Sequence, residues 1–480
     1  MAAFRPTRET PLRLVADQAF SRAAGAPLVA GNAVLLLKDA AENYPAWLDA
    51  IAAAERTVFF EMYIVADDPI GREFLDALVA RAKAGVRVRV VYDWLGCPGK
   101  ILPSFWRPLV AAGGQVRVFN PPRLDSPLGW LRRNHRKSIS VDGRVAFVTG
   151  LCIAETWRGD AEKGLEPWRD TGIAIHGPAV ADVERGFAQV WAATGPQLAN
   201  DDLADPSSLP AAGDVALRVI ANAPAAGSLM RLDQLVASIA RTRLWLTDAY
   251  FVPVASYVQT LCAAARDGVD VRLLLPGTSD IPIVSPFSRA GYRQLLDAGV
   301  RVFEWNGTML HAKTAVADGR WARVGSTNLN LASFVGNYEL DVAVEDAGFA
   351  DVMERQYRED LTRATEIVLK RRRRRLRPRP AEPRLDRPAP PRRHRAGRAA
   401  AGAFRIGSAV GAAITRPREL GNADGKIMTA AAMVLIIIAM VGSRWPKALA
   451  YPLATIAAWF AVSFLLRSFR NWRDQRSLGG

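Results

Sequence analysis

The chain has few of the residues on which secreted and metal-dependent enzymes rely. Only three cysteines, Cys97, Cys152 and Cys262, occur in 480 residues, and none forms a CxxC pair. This argues against a disulfide framework and for a reducing compartment. The four histidines include no HExxH and no His/Asp cluster, so neither a metal site nor a cofactor is expected. The start, Met1-Ala2-Ala3-Phe4-Arg5, is charged but lacks the apolar run of an export signal. Acids are scarce between Lys370 and Arg398, where fourteen Lys or Arg face two acidic residues and account for most of the net charge of +16. Residues 448 to 466 carry no charge at all.

Against these absences stands one repetition. Asn134-His135-Arg136-Lys137-Ser138-Ile139-Ser140-Val141-Asp142-Gly143 carries the pattern His-x-Lys-x₄-Asp-Gly, and His311-Ala312-Lys313-Thr314-Ala315-Val316-Ala317-Asp318-Gly319 carries it again. At a chance of roughly 5% per fixed position, an independent pair would arise about once in 10⁵ chains of this length. Both copies read as a strand running into an Asp-Gly turn, with the His and Lys on one face of the pleat. Two copies imply one shared site.

The surroundings repeat as well. Residues 58 to 65, 71 to 84 and 86 to 92 read as strand, helix and strand, and residues 244 to 251, 254 to 266 and 268 to 275 repeat that order. Residues 112 to 119 and 298 to 303 are matching strands ahead of each motif. The chain is thus a duplication with a period of about 180 residues. Before the first unit, residues 31 to 39 predict a strand and residues 45 to 54 a helix with Pro45 in its first turn. The expected organisation is a poorly ordered lead-in at 1–25, a first half at 26–195, a linker at 196–214 and a second half at 215–369. A basic Pro/Arg-rich tether at 370–425, an apolar hairpin at 426–467 and a basic tail at 468–480 follow.

At these residues the chain resembles the phospholipase D superfamily, whose members carry this motif, termed HKD, twice per active site. It is similar in particular to the lipid-synthesising branch, the cardiolipin synthases. The likeness covers residues 25 to 370 and includes Arg133-Asn134-His135-Arg136-Lys137, Trp168-Arg169-Asp170-Thr171 and Gly325-Ser326-Thr327-Asn328. It implies an α/β fold of two pseudo-twofold-related halves, each a mixed sheet flanked by helices.

Phosphodiester transfer needs a nucleophile, an acid for the leaving alkoxide and positive charge around the phosphate. The resemblance implies a ping-pong route through a phosphohistidine. His135 is assigned as nucleophile and His311 as acid/base, although the residues alone also permit the reverse. Lys137 and Lys313 would flank the phosphate. An acidic residue about thirty positions after each motif His orients the imidazole in this family, and Asp170 and Glu339 stand at those places. Asp142 and Asp318 complete the motifs and read as turn residues. The family's Gly-Ser-x-Asn, expected to reach the phosphate, is met by Gly325, Ser326 and Asn328. The first copy, Thr149-Gly150-Leu151-Cys152, departs from it and keeps Gly150. His176 and His394 stay outside the site, Cys152 lacks a neighbouring base, and Gly129-Trp130-Leu131 could form an apolar lip at its mouth.

Residues 427–442 and 448–466 reach about 24 and 28 Å as helices, close to the roughly 30 Å of a hydrocarbon core. Trp445, Tyr451 and Trp472 sit where interfacial aromatics belong. A C-terminal transmembrane helical hairpin is expected, with anionic phospholipid, phosphatidylglycerol in particular, and the bilayer as partners. A lipid hydrolase, a nuclease and an inactive tether are the competing classes. The anchor and the polybasic run favour a phosphatidyltransferase at an anionic membrane, and no nucleic acid is expected. Cations flank the hairpin, with Arg416, Arg418 and Lys426 before it and Arg467, Arg470, Arg473 and Arg476 after it, against Arg444 and Lys447 in its turn. Both flanks and the catalytic region are therefore expected on the cytoplasmic face of the cell membrane. A cysteine placed between residues 443 and 447 should react with an impermeant thiol reagent added outside, and one placed after Arg473 should not. The opposite labelling pattern refutes this orientation.

Overall fold

The computed structural model describes residues 11–369, apart from 98, 100, 102, 123–131 and 282–283, together with scattered residues between 440 and 462. A first helix, α1 (Pro11–Ala24), is followed by β1 (Val29–Lys38), α2 (Asp39–Ala52), β2 (Thr57–Met62), α3 (Pro69–Lys83), β3 (Arg87–Asp93), α4 (Arg107–Ala111) and β4 (Gln115–Phe119). In the first motif His135 and Lys137 lie ahead of the strand expected to carry them, β5 (Ser138–Val141), with β6 (Val145–Thr149), α5 (Glu155–Arg158), β7 (Thr171–His176) and α6 (Val180–Ala193) after it. The second half runs β8 (Val215–Asn222), α7 (Ser228–Ile239), β9 (Arg243–Thr247), α8 (Ala255–Arg266), β10 (Asp270–Pro276), α9 (Val284–Asp297) and β11 (Arg301–Trp305). It ends with β12 (Thr314–Ala317), β13 (Trp321–Gly325), β14 (Glu339–Glu345), α10 (Ala347–Leu361) and β15 (Ala364–Ile367).

Local chemistry explains most of these elements. In α3, Asp68 accepts the N–H of Gly71 at 2.9 Å and Pro69 opens the first turn. Ile70, Phe74, Leu78 and Ala82 are buried along one stripe, and Gly85, at φ +89°, ends the run. Each motif closes in a three-residue hairpin loop, 142–144 and 318–320, whose first two residues are left-handed: Asp142 and Gly143 at φ 56° and 68°, Asp318 and Gly319 at 51° and 64°. The carboxylate then reaches back to the neighbouring strand. Asp142 accepts the N–H groups of Glu55, Arg56 and Thr57, each at 2.8 Å, at the entrance to β2. Asp318 does the same for Arg241, Thr242 and Arg243 before β9.

Among the described residues the strands form one fifteen-stranded sheet, in the order β15-β11-β10-β9-β12-β13-β14-β8-β1-β7-β6-β5-β2-β3-β4. β2, β3 and β4 are parallel, as are β9, β10 and β11, whereas β5 and β12 run antiparallel to their neighbours. Antiparallel β1 and β8 join the halves. Alternation sends Phe147 into the core beneath α2 and α3, while Ala146 and Val148 meet Val324 and Val342 in a core shared by the two halves.

Several expectations are corrected. Residues 11–24 are helical, and Phe20 and Ala24 pack into the core of the second half, with the Arg218 guanidinium 5.6 Å from the Phe20 ring. Their partners lie some 200 residues away, beyond any local pattern. Pro45 falls inside α2, not in its first turn; Asn43 Nδ2 donates to the carbonyls of Leu37 and Asp39 and secures the turn ahead of it. The stretch 196–214 is held down, with Asp202 on Arg87 and Arg89 and the Ala204 N–H on Glu184. Strand β15, paired antiparallel to β11, was not anticipated.

Among the described residues no helix is long and apolar enough to cross a membrane. The two apolar segments, the tether, the 129–131 lip and Trp472 lie largely or wholly outside those residues, while Trp445 and Tyr451 are exposed. Since Asp142 satisfies three backbone donors at an 8% exposed position, Asp142→Ala should cost about 2–4 kcal/mol and lower the thermal midpoint by several degrees. An unchanged midpoint refutes this role.

Candidate active site

Each motif histidine is delivered to the opposite half by a short parallel bridge. The His135 N–H donates to Tyr338 O and the Tyr338 N–H to Arg133 O, both at 2.9 Å. In the mirror arrangement the His311 N–H donates to Arg169 O at 2.7 Å and the Arg169 N–H to Met309 O at 3.0 Å. The carboxylates are therefore crossed. His135 Nδ1 lies 2.9 Å from Glu339 Oε2, and His311 Nδ1 lies 2.7 Å from Asp170 Oδ2. The family resemblance pointed to both acids but not to this exchange, because linear distance carries no information about which half closes on which.

All six groups, His135, Lys137, Asp170, His311, Lys313 and Glu339, are buried. Lys137 Nζ donates to His135 O at 2.6 Å and Lys313 Nζ to His311 O. Lys313 Nζ also lies 2.9 and 3.0 Å from the two ring nitrogens of His311. Tyr63 and Tyr250, just past β2 and β9, set their rings 4.7 Å from His135 and 5.7 Å from His311. Those rings also lie 5.1 and 5.8 Å from the two ammonium groups. Trp157 and Trp168 flank His311, and Trp157 Nε1 donates to Asp170 Oδ2 at 2.9 Å. The two tyrosines recur at matching places in the repeat, which was the available signal for them.

The loops after β6 and β13 back the carboxylates. Ser326 Oγ donates to Glu339 Oε2 at 2.6 Å and accepts the Leu340 N–H at 2.9 Å, so the hydroxyl expected at the phosphate is engaged with a carboxylate. Gly150 holds the equivalent place, where a Cβ would lie 2.2 Å from Asp170 Oδ1, and a Cβ at Gly325 would lie 2.3 Å from Asp341 Oδ1. Asn328 does line the cavity, and its buried Oδ1 has no hydrogen-bond partner among the described residues. Arg136, fully buried, donates to the carbonyls of Glu339, Gly186 and Asn222 and to Gln189. Asp142 and Asp318 lie at the strand entrances and do not line the cavity.

Burial, followed by the Lys137 and Lys313 ammoniums, pushes the His135 pKa well down. Burial and Lys313 lower that of His311 to about 4, against the upward pull of Asp170. Burial also lowers Lys137, and takes Lys313 to about 8. The two carboxyls differ. Burial would raise Asp170, but His311 and Lys313 bring it below its usual value, whereas burial leaves Glu339 raised. Burial also keeps the Cys152 thiol protonated by raising its pKa. Both histidines open on one cavity of about 680 Å³, lined also by Arg133, Trp157, Trp168, Val252 and Leu331. Among the described residues no group of three or more His, Cys, Asp or Glu is placed to hold a metal ion.

Two imidazoles with Nδ1 held by carboxylates, two neighbouring ammoniums and a mostly apolar cavity thus make up one candidate active site. Residues 47–191 and 235–361 match the family model described as "Cardiolipin synthase, PLD-like domain". The chain belongs to this family, as a phosphatidyltransferase of the phospholipase D superfamily. It is 33% identical over 346 residues to the cardiolipin synthase of Alkalihalophilus pseudofirmus, covering 71% of this chain and 68% of the relative. It is 34% identical over 353 residues to cardiolipin synthase A of Pseudomonas putida, covering 71% of each chain. The crystal structure of phosphatidylserine synthase from Haemophilus influenzae Rd KW20 shares the fold, with a TM-score of 0.58, 12% identity, and coverage of 73% of this chain and 91% of that one.

Crossed pairing has a direct test. In a double-mutant cycle on turnover, Asp170→Asn should be strongly non-additive with His311→Gln and close to additive with His135→Gln. The reverse pattern would return each carboxylate to its own half.

Proposed function

We propose that the chain is a cardiolipin synthase, moving a phosphatidyl group from phosphatidylglycerol to an alcohol acceptor through a phosphohistidine. The crossed imidazole–carboxylate pairs at one cavity carry this reading. Because carboxylates hold both Nδ1 atoms, Nε2 of each imidazole is left for chemistry, that of His311 once the Lys313 ammonium, 3.0 Å from it, turns to the phosphate. The two lysine cations balance the two carboxylates, so a bound phosphodiester anion adds one negative charge, which one imidazolium compensates. Asp170, the carboxyl held ionised, favours His311 as that imidazolium.

His135 Nε2 then attacks phosphorus, and the P–O bond to the leaving glycerol breaks as His311 gives that oxygen its proton. Neutral His311 next takes the proton from the acceptor hydroxyl. The hydroxyl oxygen forms a new P–O bond, the N–P bond breaks, and both imidazoles return to their starting states. Lys137, Lys313 and the Asn328 amide stabilise the non-bridging oxygens. Ser326 and Gly150 act one step back, shaping the seats of Glu339 and Asp170, while Gly325 leaves room for Asp341. The aromatic and aliphatic walls suit acyl chains better than a nucleic acid. The apolar 426–467 hairpin would hold the site beside the cytoplasmic leaflet.

Incubation with labelled phosphatidylglycerol should give cardiolipin by mass spectrometry; phosphatidic acid as the sole product would favour hydrolysis. His135→Ala and His311→Ala should each lose at least about 10²-fold in turnover. Alkaline quenching of the His311→Ala protein should trap label on His135, and label on His311 in the His135→Ala protein would reverse the assignment. Asp170→Asn removes the charge that pulls the His311 pKa upward. A less basic acid loses its proton sooner, so the alkaline limb of the kcat profile should move to lower pH.

A further inference from the structure

Among the described residues, four large apolar side chains of the second half stand exposed beside the cavity. Ile281 and Leu331 line it and are 43% and 51% exposed. Phe287, 49% exposed, is one helical turn along α9 from Val284, another lining residue. Val335, 39% exposed, belongs to the turn of π-helix Ala332–Gly336 directly after Leu331. Within that turn Ser333 and Phe334 point inward and are buried, leaving Val335 outside. An apolar rim of this kind marks an interaction surface.

We propose that this rim seats the mouth of the cavity on the hydrocarbon margin of a phospholipid bilayer. This rests on the reading of the substrate as a diacyl lipid, whose tails do not leave the bilayer without cost. Val252, Ile281, Val284 and Leu331 continue the apolar surface from the rim into the cavity. A lipid can thus present its headgroup to the histidines while its chains stay in contact with apolar surface throughout. The bilayer meets the second half, beside α9 and the π-helical turn.

The native cysteines are buried, so Phe287→Cys in the full chain offers one accessible thiol for an environment-sensitive fluorophore. In phosphatidylglycerol–phosphatidylcholine vesicles with brominated acyl chains, this label should be quenched, and one at Arg355→Cys, exposed on α10, should not. Equal quenching at both sites, or none at 287, overturns the proposal. So does self-quenching at 287 that rises with the protein-to-lipid ratio, which would mark a second copy of the chain as the partner. In activity assays, the pair Phe287→Ser with Val335→Ser should lose at least about fivefold on vesicles and stay within about twofold on monomeric dihexanoyl phosphatidylglycerol. Equal loss on both substrates, or loss on neither, refutes docking. The fluorescence reading needs no turnover: a wild-type chain that transfers no phosphatidyl group in either assay would overturn the proposed function and leave the docking result standing.

Discussion

The structure depends on the exchange of carboxylates between halves. Neither histidine is oriented by the half that carries it: Glu339 holds His135 and Asp170 holds His311. Both pairs form only when the shared core closes, bringing Val148, Ile173 and Ile175 against Val324, Leu340 and Val342. Hydrophobic burial between halves and the assembly of the site are therefore one event. A buried imidazole paired with its own half's acid would leave each half chemically self-sufficient; the crossed arrangement makes the site a property of the pair.

Two-fold symmetry is kept where both halves need the same geometry and broken where they differ. The Asp-Gly turns, the tyrosines beside the imidazoles and the parallel bridges are matched. The carboxylates are not. The shorter Asp170 lies so close to the β6 loop that only Gly150 fits, while the longer Glu339 is met by the Ser326 hydroxyl. Arg136 ties the first motif to the backbone of Glu339, and Ala312 stands at the same place in the second. These differences put the two histidines in unlike electrostatic surroundings, which a reaction with separate nucleophile and acid requires.

Much of the fold was legible because its signals are local. The strand, helix, strand order repeated with its periodicity intact, α3 carried its own cap and terminating glycine, and both motifs contained the residues of their hairpin turns. Where the sequence misled, the cause was distance along the chain. Helix α1 packs on residues some 200 positions away, and β15 finds β11 across α10.

The sequence by itself determined the duplication, the residues of the two motifs and the Asp-Gly turns, since each follows from side-chain chemistry and spacing within a few tens of residues, while the resemblance to the family pointed to the two acids. Only the tertiary structure decided which acid serves which histidine and that an apolar rim on the second half borders the cavity. These depend on how the two halves close over a common core, and that closure is set by the complementarity of surfaces that lie far apart in the chain.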